Sequence, residues 1–492
     1  MASRPVRNTR RRNVPAAIAV ILGCVLATPA PAAGRLSLHG PFALGAGPLV
    51  SAEKGGVLSL AYVPRPFPLG VASGPDSRLL VTWMGRAAPV EAASGSPAGF
   101  QAAQPAAGAG AGETTEVQTA FGPDGALLVG WRSVMPDGIG NGSAAVAGME
   151  PGAAGWRPGP SLADASGDAA PVVAFDPRGD GYAVWLSGTL PEAVEASVRP
   201  AGGAWRAPVR ISAATRWSAG HLSVGVGASG EAIAIWEATE PGTERSEIEA
   251  AVYSPARGWR RQVSLGGGND PVVAVRAGRQ ALAAWHEYGE GPVVAATIDL
   301  HRGRRISSRV LPGSQGPKGP LSIAVGPAGA DVVWWKGEGE EFTEAPEPPV
   351  RLIAAINVTR RSTRARTVAA WRYRRTFTRQ FEDPMCDPTR TASASFGFDR
   401  QGTLTAAWTQ GCGAVFVQRR RARASRWGAR IAAGPLLGDG VQPLLAVDDR
   451  GEVAAAWLSQ VAVPGAGTCA LEGAAGACRF ATDVLAAVLA PG

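Results

Sequence analysis

The sequence predicts an all-β fold made from one sheet unit repeated about eight times, and three observations support this. A single phrase recurs along most of the 492 residues: an apolar run, a turn of Asp, Pro, Arg and Gly, and a second apolar run that ends on tryptophan. The apolar runs are short and bounded by turn residues, as strands are. Apolar residues at helical spacing are hard to find over any dozen residues beyond residue 34. The phrase therefore indicates a repeated β-hairpin.

The repeats are about fifty residues long. Clear copies are FGPDGALLVGW (121–131), FDPRGDGYAVW (175–185), FDRQGTLTAAW (398–408) and VDDRGEVAAAW (447–457), and weaker copies end at residues 83, 236, 285 and 335. The tryptophans that end the eight copies are Trp83, Trp131, Trp185, Trp236, Trp285, Trp335, Trp408 and Trp457. Asp suits the turn because it bonds its own backbone, and Gly suits it because it accepts positive φ.

A second hairpin follows the first in each repeat. Runs such as AVEASVRPAGGAWRAPVRIS (193–212) and EIEAAVYSPARGWRRQVSL (247–265) carry a second tryptophan, Trp205 or Trp259. Four antiparallel strands per repeat predict a β-propeller blade. A single blade cannot bury both faces, so we expect each first tryptophan to pack against a neighbouring blade. Eight tryptophans predict eight blades, and seven is the alternative if the degenerate first copy belongs to another blade.

The two ends of the chain are predicted to close the ring. The last repeat ends at DVLAAVLAPG (483–492), which matches a third strand and leaves the fourth missing. Either RLSLHGPFAL (35–44) or GVLSLAYVP (56–64) would supply that strand. Pairing of the N- and C-terminal strands would leave the blade complete and remove an exposed edge.

The amino-terminal segment has the pattern of an export signal. Five arginines precede an apolar run that closes on small residues, so we expect a signal peptide over 1–33 and a mature start near Ala33 or Gly34. ILGC (21–24) competes as a lipobox, in which Cys24 is acylated and anchors the protein to a membrane. The remainder, 34–492, is predicted as a single propeller domain with insertions near 336–350, 376–392 and 461–482. The expected location is extracellular or at the cell envelope.

Export changes how charge and cysteine are interpreted. Loss of the five signal arginines lowers the formal net charge from +8 to +3, so the pI of 9.7 does not indicate a nucleic-acid partner. Four cysteines remain, an even number that predicts two disulfides in an oxidising compartment. They are Cys386, Cys412, Cys469 and Cys478. Three pairings are open, and Cys386–Cys412 with Cys469–Cys478 is favoured. A four-thiolate metal site would require C-x-x-C pairs, which the sequence lacks.

The second hairpin resembles the turn of Asp-box propellers, a group that includes sialidases and related exported bacterial proteins. SVRPAGGAWRAPVRIS (197–212) keeps the Gly and the aromatic residue of the box as Gly202 and Trp205, but Pro200 stands where the Asp would be. The resemblance implies a propeller. For a sialidase it would also imply an arginine triad and a tyrosine nucleophile beside a glutamate. Tyr288, with Glu287 and Glu290 nearby, is the candidate for that role.

Two charged regions are candidate binding surfaces. Loops after the first tryptophans should emerge on one face of the disc, and those of repeats four to six are acidic. The candidate binding residues are Glu237, Glu240, Glu287, Tyr288, Glu290, Glu338, Glu340 and Glu341. Such loops would bind Ca²⁺ or a basic partner, or are simply solvated. Arginines gather at 360–379 and 418–430, where they either protect strand edges or bind anionic glycans, lipid headgroups or cell-wall polymers.

The sequence thus predicts a binding or scaffold module for a protein or glycan partner. We expect a monomer with no nucleic-acid partner, no membrane contact other than a lipid anchor, and no cofactor other than Ca²⁺. No catalytic residue is assigned, and the alternative from another class is a sialidase-like glycoside hydrolase or lyase. A binding module should have a channel lined by small and apolar residues, whereas an enzyme should bring carboxylates and arginines together there.

Overall fold

The described part of the chain is almost entirely β-sheet. A computed structural model describes residues 36–52, 69–85, 90–106, 113–134, 143–151, 153, 155–160, 162, 170–188, 192–213, 218–243, 245–260, 263–276, 279–288, 291–315, 321–337, 350–358, 365–371, 394–410, 414–435, 443–448, 450–461 and 478–491. Within these ranges there are 34 strands and two single-turn 3-10 helices, Pro75–Ser77 and Pro327–Gly329. No helix among them is long and apolar enough to span a membrane.

The first four sheets follow one another along the chain, and each begins with its innermost strand. Blade 1 contains β2 (Leu69–Ser73), β3 (Leu79–Trp83), β4 (Glu91–Ser96), β5 (Gly99–Phe100) and β6 (Gln104–Pro105). Blade 2 contains β7 (Glu113–Phe121), β8 (Leu127–Val134), β9 (Ser143–Met149) and β10 (Arg157–Pro158). Blade 3 contains β11 (Val172–Phe175), β12 (Gly181–Ser187), β13 (Ala193–Arg199) and β14 (Val209–Arg210). Blade 4 contains β15 (Ser218–Val226), β16 (Ala232–Thr239), β17 (Ser246–Ser254), β18 (Gly258–Trp259) and β19 (Val263–Gly267).

The other four sheets have longer outer strands. Blade 5 contains β20 (Asn269–Arg276), β21 (Gln280–His286), β22 (Val293–Asp299) and β23 (Arg304–Val310). Blade 6 contains β24 (Ser322–Val325), β25 (Asp331–Gly337), β26 (Val350–Ile356) and β27 (Ala365–Trp371). Blade 7 contains β28 (Ala394–Phe398), β29 (Leu404–Gln410), β30 (Ala414–Arg420) and β31 (Arg430–Pro435). Blade 8 contains β32 (Leu444–Val447), β33 (Val453–Val461), β34 (Cys478–Pro491) and β1 (Leu36–Ala52).

The eight sheets form a closed ring, which confirms the predicted eight-bladed propeller. The innermost strand of each blade lies against the innermost strand of the next, and β32 lies against β2. The first strand of the chain completes the last blade: β1 pairs antiparallel with β34, with Leu36 opposite Pro491 and Ala52 opposite Cys478. The prediction that the chain ends pair is therefore confirmed, and the earlier of the two proposed segments supplies the strand.

The eight repeat tryptophans lie at the contacts between blades. All are on the second strand of their blade, and none is more than 8% exposed. Each packs in an apolar cluster with the preceding blade; Trp236, for example, packs with Val184, Leu186 and Val194 of blade 3. A large ring at every blade contact removes much apolar surface from water, which is why the same phrase recurs.

The turn between the first and second strands repeats the same hydrogen bonds. In blade 3 the Asp176 N–H donates to the Asp180 carbonyl at 3.0 Å, and the Asp176 Oδ1 accepts the Arg178 and Asp180 N–H groups at 2.9 Å each. In blade 4 glycine replaces the Asp, and the Gly227 N–H donates to the Glu231 carbonyl at 2.7 Å. The backbone bond therefore defines the turn, and the Asp side chain reinforces it where present.

Several predicted features lie outside the described residues. These are the signal segment 1–33 with Cys24, most of the three predicted insertions, and Cys386, Cys412 and Cys469. Cys478 begins β34. Export, lipidation and the two disulfides therefore stay predictions.

Candidate ligand-binding site on the loop face

The candidate site lies on one face of the disc, which we call the loop face. In each antiparallel blade, the start of the first strand and the end of the second strand are at the same end of the sheet. The connections from second to third strand, and from one blade to the next, emerge there. The opposite face, which we call the turn face, carries the hairpin turns that close each first strand. The loop face therefore presents the segments that vary most between repeats.

Two irregularities in the innermost strands shape the site. The pairing of β15 with β16 shifts between Gly220 and Ser223, and His221 within this bulge has φ of 43°. The pairing of β20 with β21 shifts between Asn269 and Val272, and Asp270 there has φ of 53°. A bulge redirects the side chains that it carries. Here the two bulges bring His221 of blade 4 and Asp270 of blade 5 together.

These residues form a polar network around Glu237, the residue after the blade 4 tryptophan. The His221 Nδ1 lies 2.8 Å from the Glu237 Oε2 and 3.2 Å from the Asp270 Oδ1. The Asp270 backbone N–H donates to the same Glu237 oxygen at 3.3 Å. Because ionised carboxylates only accept hydrogen bonds, the His221 Nδ1 carries a proton and donates it. We call His221, Glu237, Asp270, Thr239 and Ser246 the rim cluster.

The second oxygen of Glu237 is also held. Its Oε1 accepts hydrogen bonds from the Ser246 hydroxyl at 2.9 Å and the Thr239 hydroxyl at 3.2 Å. Burial acts to raise the pKa of Glu237, but the hydrogen bonds and charge of His221, with the Ser246 and Asp270 bonds, lower it below its ordinary value. The Glu237 side chain is 13% exposed and that of His221 is 55% exposed. The cluster thus holds an ionised carboxylate beneath a surface imidazole.

An exposed tyrosine lies beside the rim cluster. Tyr288 has φ of 30° and is 52% exposed, and a Cβ on Gly267 would lie 2.0 Å from its hydroxyl oxygen. Gly267 therefore allows the ring to rest on the backbone. The Gly267 carbonyl accepts the Trp285 indole N–H at 3.1 Å, and the Gly268 N–H donates to the Ser246 carbonyl at 3.2 Å. Three successive glycines, 266–268, thus join Tyr288 to the rim cluster.

A second carboxylate of blade 4 has the opposite electrostatic environment. Burial raises the pKa of Glu249, and the nearby Glu247 raises it further, although the Trp236 indole N–H donates to Glu249 at 2.9 Å and opposes the shift. Successive residues of a strand point to opposite faces of the sheet. Trp236 packs on blade 3, whereas Glu237 bonds Asp270 of blade 5. Glu249 and Glu237 therefore lie on opposite faces of blade 4 and do not converge on one substrate bond.

Three neighbouring innermost strands line a cavity with uncharged side chains. This cavity has a volume of about 220 Å³, between the innermost strands of blades 8, 1 and 2. Its lining residues are Leu69, Gly70, Val71, Val117, Gln118, Thr119, Leu444 and Leu445. Thr119 bonds the Thr82 hydroxyl. The cavity offers small and apolar surface with a few neutral polar groups.

The sequence-predicted site residues are only partly brought together. Glu237 is in the rim cluster and Tyr288 borders it. Glu240 and Glu287 instead form turns, in which the Glu240 N–H donates to the Arg245 carbonyl at 3.0 Å and the Glu287 N–H to the Pro292 carbonyl at 2.9 Å. The predicted site residues that lie outside the described residues are Glu290, Glu338, Glu340 and Glu341.

Within the ranges that the structure describes, no group of three or more His, Cys, Asp or Glu residues is arranged to hold a metal ion. In the rim cluster the His221 N–H occupies the space between the two carboxylates, where a cation would have to sit. The Ca²⁺ expectation for the acidic loops stays a prediction.

Solved structures share this architecture. The Dos1 propeller is similar over 92% of this chain and 95% of its own, with 8% identity and a TM-score of 0.50. The BP39L lectin from Burkholderia pseudomallei is similar over 75% and 99%, with 12% identity and a TM-score of 0.48. The α-L-arabinofuranosidase Arb93A from Fusarium graminearum is similar over 76% and 92%, with 10% identity and a TM-score of 0.40. No protein-family model matches the chain, and no curated protein matches it. At these identities the likeness shows the propeller fold alone.

Proposed function

We propose that the protein is an exported binding module that takes a glycan on its loop face, at Tyr288 and the rim cluster. The observation that carries this proposal is the exposed Tyr288 ring beside a network in which Glu237 is already ionised and oriented. Export rests on the signal pattern at 1–33, and the location that follows is extracellular or at the cell envelope.

The chemistry of the site suits a sugar. The Tyr288 ring, held against Gly267, offers a flat apolar surface on which a sugar ring can stack, and its hydroxyl offers a polar tip. The Asp270 carboxylate, 30% exposed, can accept hydrogen bonds from sugar hydroxyls, and the exposed imidazole of His221 contributes a further polar group. A few placed polar groups beside an apolar surface are typical of small-ligand sites. Because hydrogen bonds within the network already orient its side chains, little ordering accompanies binding.

Binding is favoured over hydrolysis by the placement of the acids. Most glycoside hydrolases place two carboxyl groups on either side of one bond, whereas sialidases use a tyrosine nucleophile. The two carboxyl groups of blade 4 whose pKa values are shifted in opposite directions, those of Glu237 and Glu249, lie on opposite faces of the sheet. The cavity between the innermost strands of blades 8, 1 and 2 is lined by uncharged side chains. These features support a module that recognises its ligand without cleaving it.

Screening the purified mature protein on an array of neutral glycans tests the proposal, followed by calorimetry on the best ligand. Tyr288→Ala should weaken binding about tenfold, because truncation of a central aromatic contact typically removes more than 1 kcal/mol. Val209→Ala is the matched control, since Val209 is an exposed apolar residue on the outer edge of blade 3 and should leave affinity unchanged. Failure of every glycan to bind would refute the assignment. Release of reducing sugar by the native chain but not by Tyr288→Phe would establish the hydrolase alternative.

A further inference from the structure

A second charged surface lies far from the rim cluster, where the outer parts of blades 6 and 7 meet. We call it the arginine edge; it consists of Arg366, Arg420, Arg421, Arg423 and Arg426. Arg366 is on β27 of blade 6, and its Nη1 donates to the Ser425 carbonyl of blade 7 at 3.0 Å. This bond places the guanidinium groups of two blades on one continuous surface.

Ring packing and a backbone hydrogen bond fix the segment that carries the arginine edge. Trp427 packs on Phe396 with ring centroids 6.5 Å apart, and the guanidinium of Arg430 lies over the Phe416 ring at 4.2 Å. The Gly428 N–H donates to the Arg419 carbonyl at 2.8 Å, so the segment that leaves β30 is bonded back to that strand. The arginines between these contacts project from an ordered backbone. Little backbone ordering is then required when a ligand binds.

These arginines differ from several at the turns between first and second strands. Three of those have carboxylate partners: Arg178 lies 2.8 Å from Asp176, Arg276 lies 3.2 Å from Asp331, and Arg419 lies 2.8 Å from Asp399. Over the residues that the structure describes, no carboxylate pairs with a member of the arginine edge. Burial lowers the pKa of Arg420, and the positive charge of Arg366 lowers it further. Like charges are therefore gathered here at an electrostatic cost that a bound anion would relieve.

Protection of strand edges does not account for the arrangement. Charged residues that prevent edge-to-edge pairing are needed on the exposed strand itself. Arg421, Arg423 and Arg426 instead lie in the connection between β30 and β31, and all three are exposed. Their charges therefore lie on an exposed surface and do not protect a strand edge from pairing.

We propose that the arginine edge binds a linear anionic glycan that carries sulfate or carboxylate groups on successive sugar units. Guanidinium groups pair with these anions in two-pronged geometry, and a row of them across two blades matches a row of fixed charges along a polymer. This site is separate from the rim cluster, so the fate of one proposal does not decide the other.

The surroundings of the arginine edge favour a glycan over other polyanions. The exposed large apolar residues of the described chain are Leu38, Val209, Tyr288, Ile306 and Val310, and none belongs to this surface. Membrane-docking surfaces combine basic residues with apolar side chains that insert. Proteins that bind single-stranded nucleic acid stack bases on exposed aromatic rings, whereas Trp427 is half-buried against Phe396.

The test compares two triple variants in binding to heparin, to polygalacturonate and to neutral dextran, by calorimetry at low and physiological salt. The first variant, Arg421→Ala, Arg423→Ala and Arg426→Ala, should bind heparin or polygalacturonate at least fivefold more weakly than the native chain. The matched control, Arg206→Ala, Arg210→Ala and Arg257→Ala, removes the same charge from exposed positions in blades 3 and 4 and should keep native affinity. Melting curves of both variants verify that they fold.

Further measurements separate the surface from bulk charge and from other ligands. Lysine at the same three positions should retain part of the binding, because charge is kept while two-pronged pairing is lost. Equal losses in the two alanine variants would refute the site, because overall charge would then explain the binding. Tighter binding to vesicles of anionic lipid or to single-stranded DNA than to either glycan would also overturn the proposal, as would no binding to either glycan.

Discussion

Replacing Gly230 with alanine measures how tightly blades 3 and 4 are joined on the turn face. Gly230 follows the first strand of blade 4 and has φ of 80°. Its carbonyl accepts the buried Tyr182 hydroxyl of blade 3 at 3.0 Å. A Cβ there would lie 1.7 Å from the Arg178 Nη2 and 2.8 Å from the Asp176 Oδ2. The substitution therefore strains the backbone and displaces the guanidinium of the neighbouring blade.

Two effects contribute to the loss of unfolding free energy in Gly230→Ala. A non-glycine residue at this φ costs about 1–2 kcal/mol. Moving Arg178 weakens its bonds to Asp176, at 2.8 and 3.0 Å, and to Asp180 at 3.0 Å. Because the Arg178 side chain is 45% exposed, these bonds contribute about 1 kcal/mol. We expect the variant to lose about 2–3 kcal/mol in free energy of unfolding, and calorimetric melting is the assay.

Gly242→Ala is the control that separates the two effects. Gly242 has φ of 77°, and a Cβ there would meet no atom within 4 Å. Gly242→Ala should therefore lose only the free energy that comes from backbone strain. The double variant Gly230→Ala with Arg178→Ala should be no less stable than Gly230→Ala alone, which is about 1 kcal/mol short of the sum of the two single losses, because the Arg178 bonds are lost in both single variants. If Gly242→Ala destabilises the protein as much as Gly230→Ala does, the contact between turns contributes nothing and the reasoning is refuted.

Two further variants test the blade contacts and the rim cluster. Trp457→Ala should destabilise the ring by about 3–5 kcal/mol, because it opens a cavity between blades 7 and 8 where Val415 and Val417 pack. A melting temperature near that of the native chain would contradict this packing role. Glu237→Gln should lower the melting temperature at pH 7. The lowered pKa of Glu237 means that its ionised carboxylate is more stable in the folded state than in the unfolded state. That stabilisation is present above the ordinary carboxyl pKa of 4.5 and is lost as the pH falls through the pKa of the folded state. The melting temperatures of the native chain and the variant should therefore converge below pH 4.5. A constant difference between them down to pH 2 would show that ionisation is not the cause.

The architecture could be predicted because each blade solves the same packing problem. An indole at every blade contact and a turn closed by one backbone bond leave a repeated phrase in the sequence, from Trp83 to Trp457. The missing fourth strand of the last repeat likewise predicted that β1 would pair with β34. The outer halves of blades 1 to 4 were less predictable. Their outermost strands in the main order have two residues each, because Gly- and Pro-rich segments such as 200–208 lack continuous pairing.

The rim cluster could not be predicted from local pattern. His221, Glu237 and Asp270 come from two blades and meet because two bulges shift the strands that carry them. A bulge changes the register by a residue or two and leaves no periodic signal. Glycines 266–268 were the available sign, since three in succession indicate close approach of other groups to the backbone. Acidic composition identified Glu237 but also Glu240 and Glu287, which form turns.

Comparison of the repeats within this one chain points to the loop face as the functional face. On the turn face, equivalent positions hold Gly or Asp in nearly every blade, because the same hydrogen bond must close each turn. On the loop face, the residue after the repeat tryptophan is Arg132 in blade 2, Glu237 in blade 4, His286 in blade 5 and Thr409 in blade 7. The next residue points to the opposite face of its strand, toward the following blade, where Leu186 and Thr409 are buried without a charge. Charge at such positions is therefore not required by the fold, and the two adjacent blades that carry Glu237 and His286 are those whose bulges build the rim cluster.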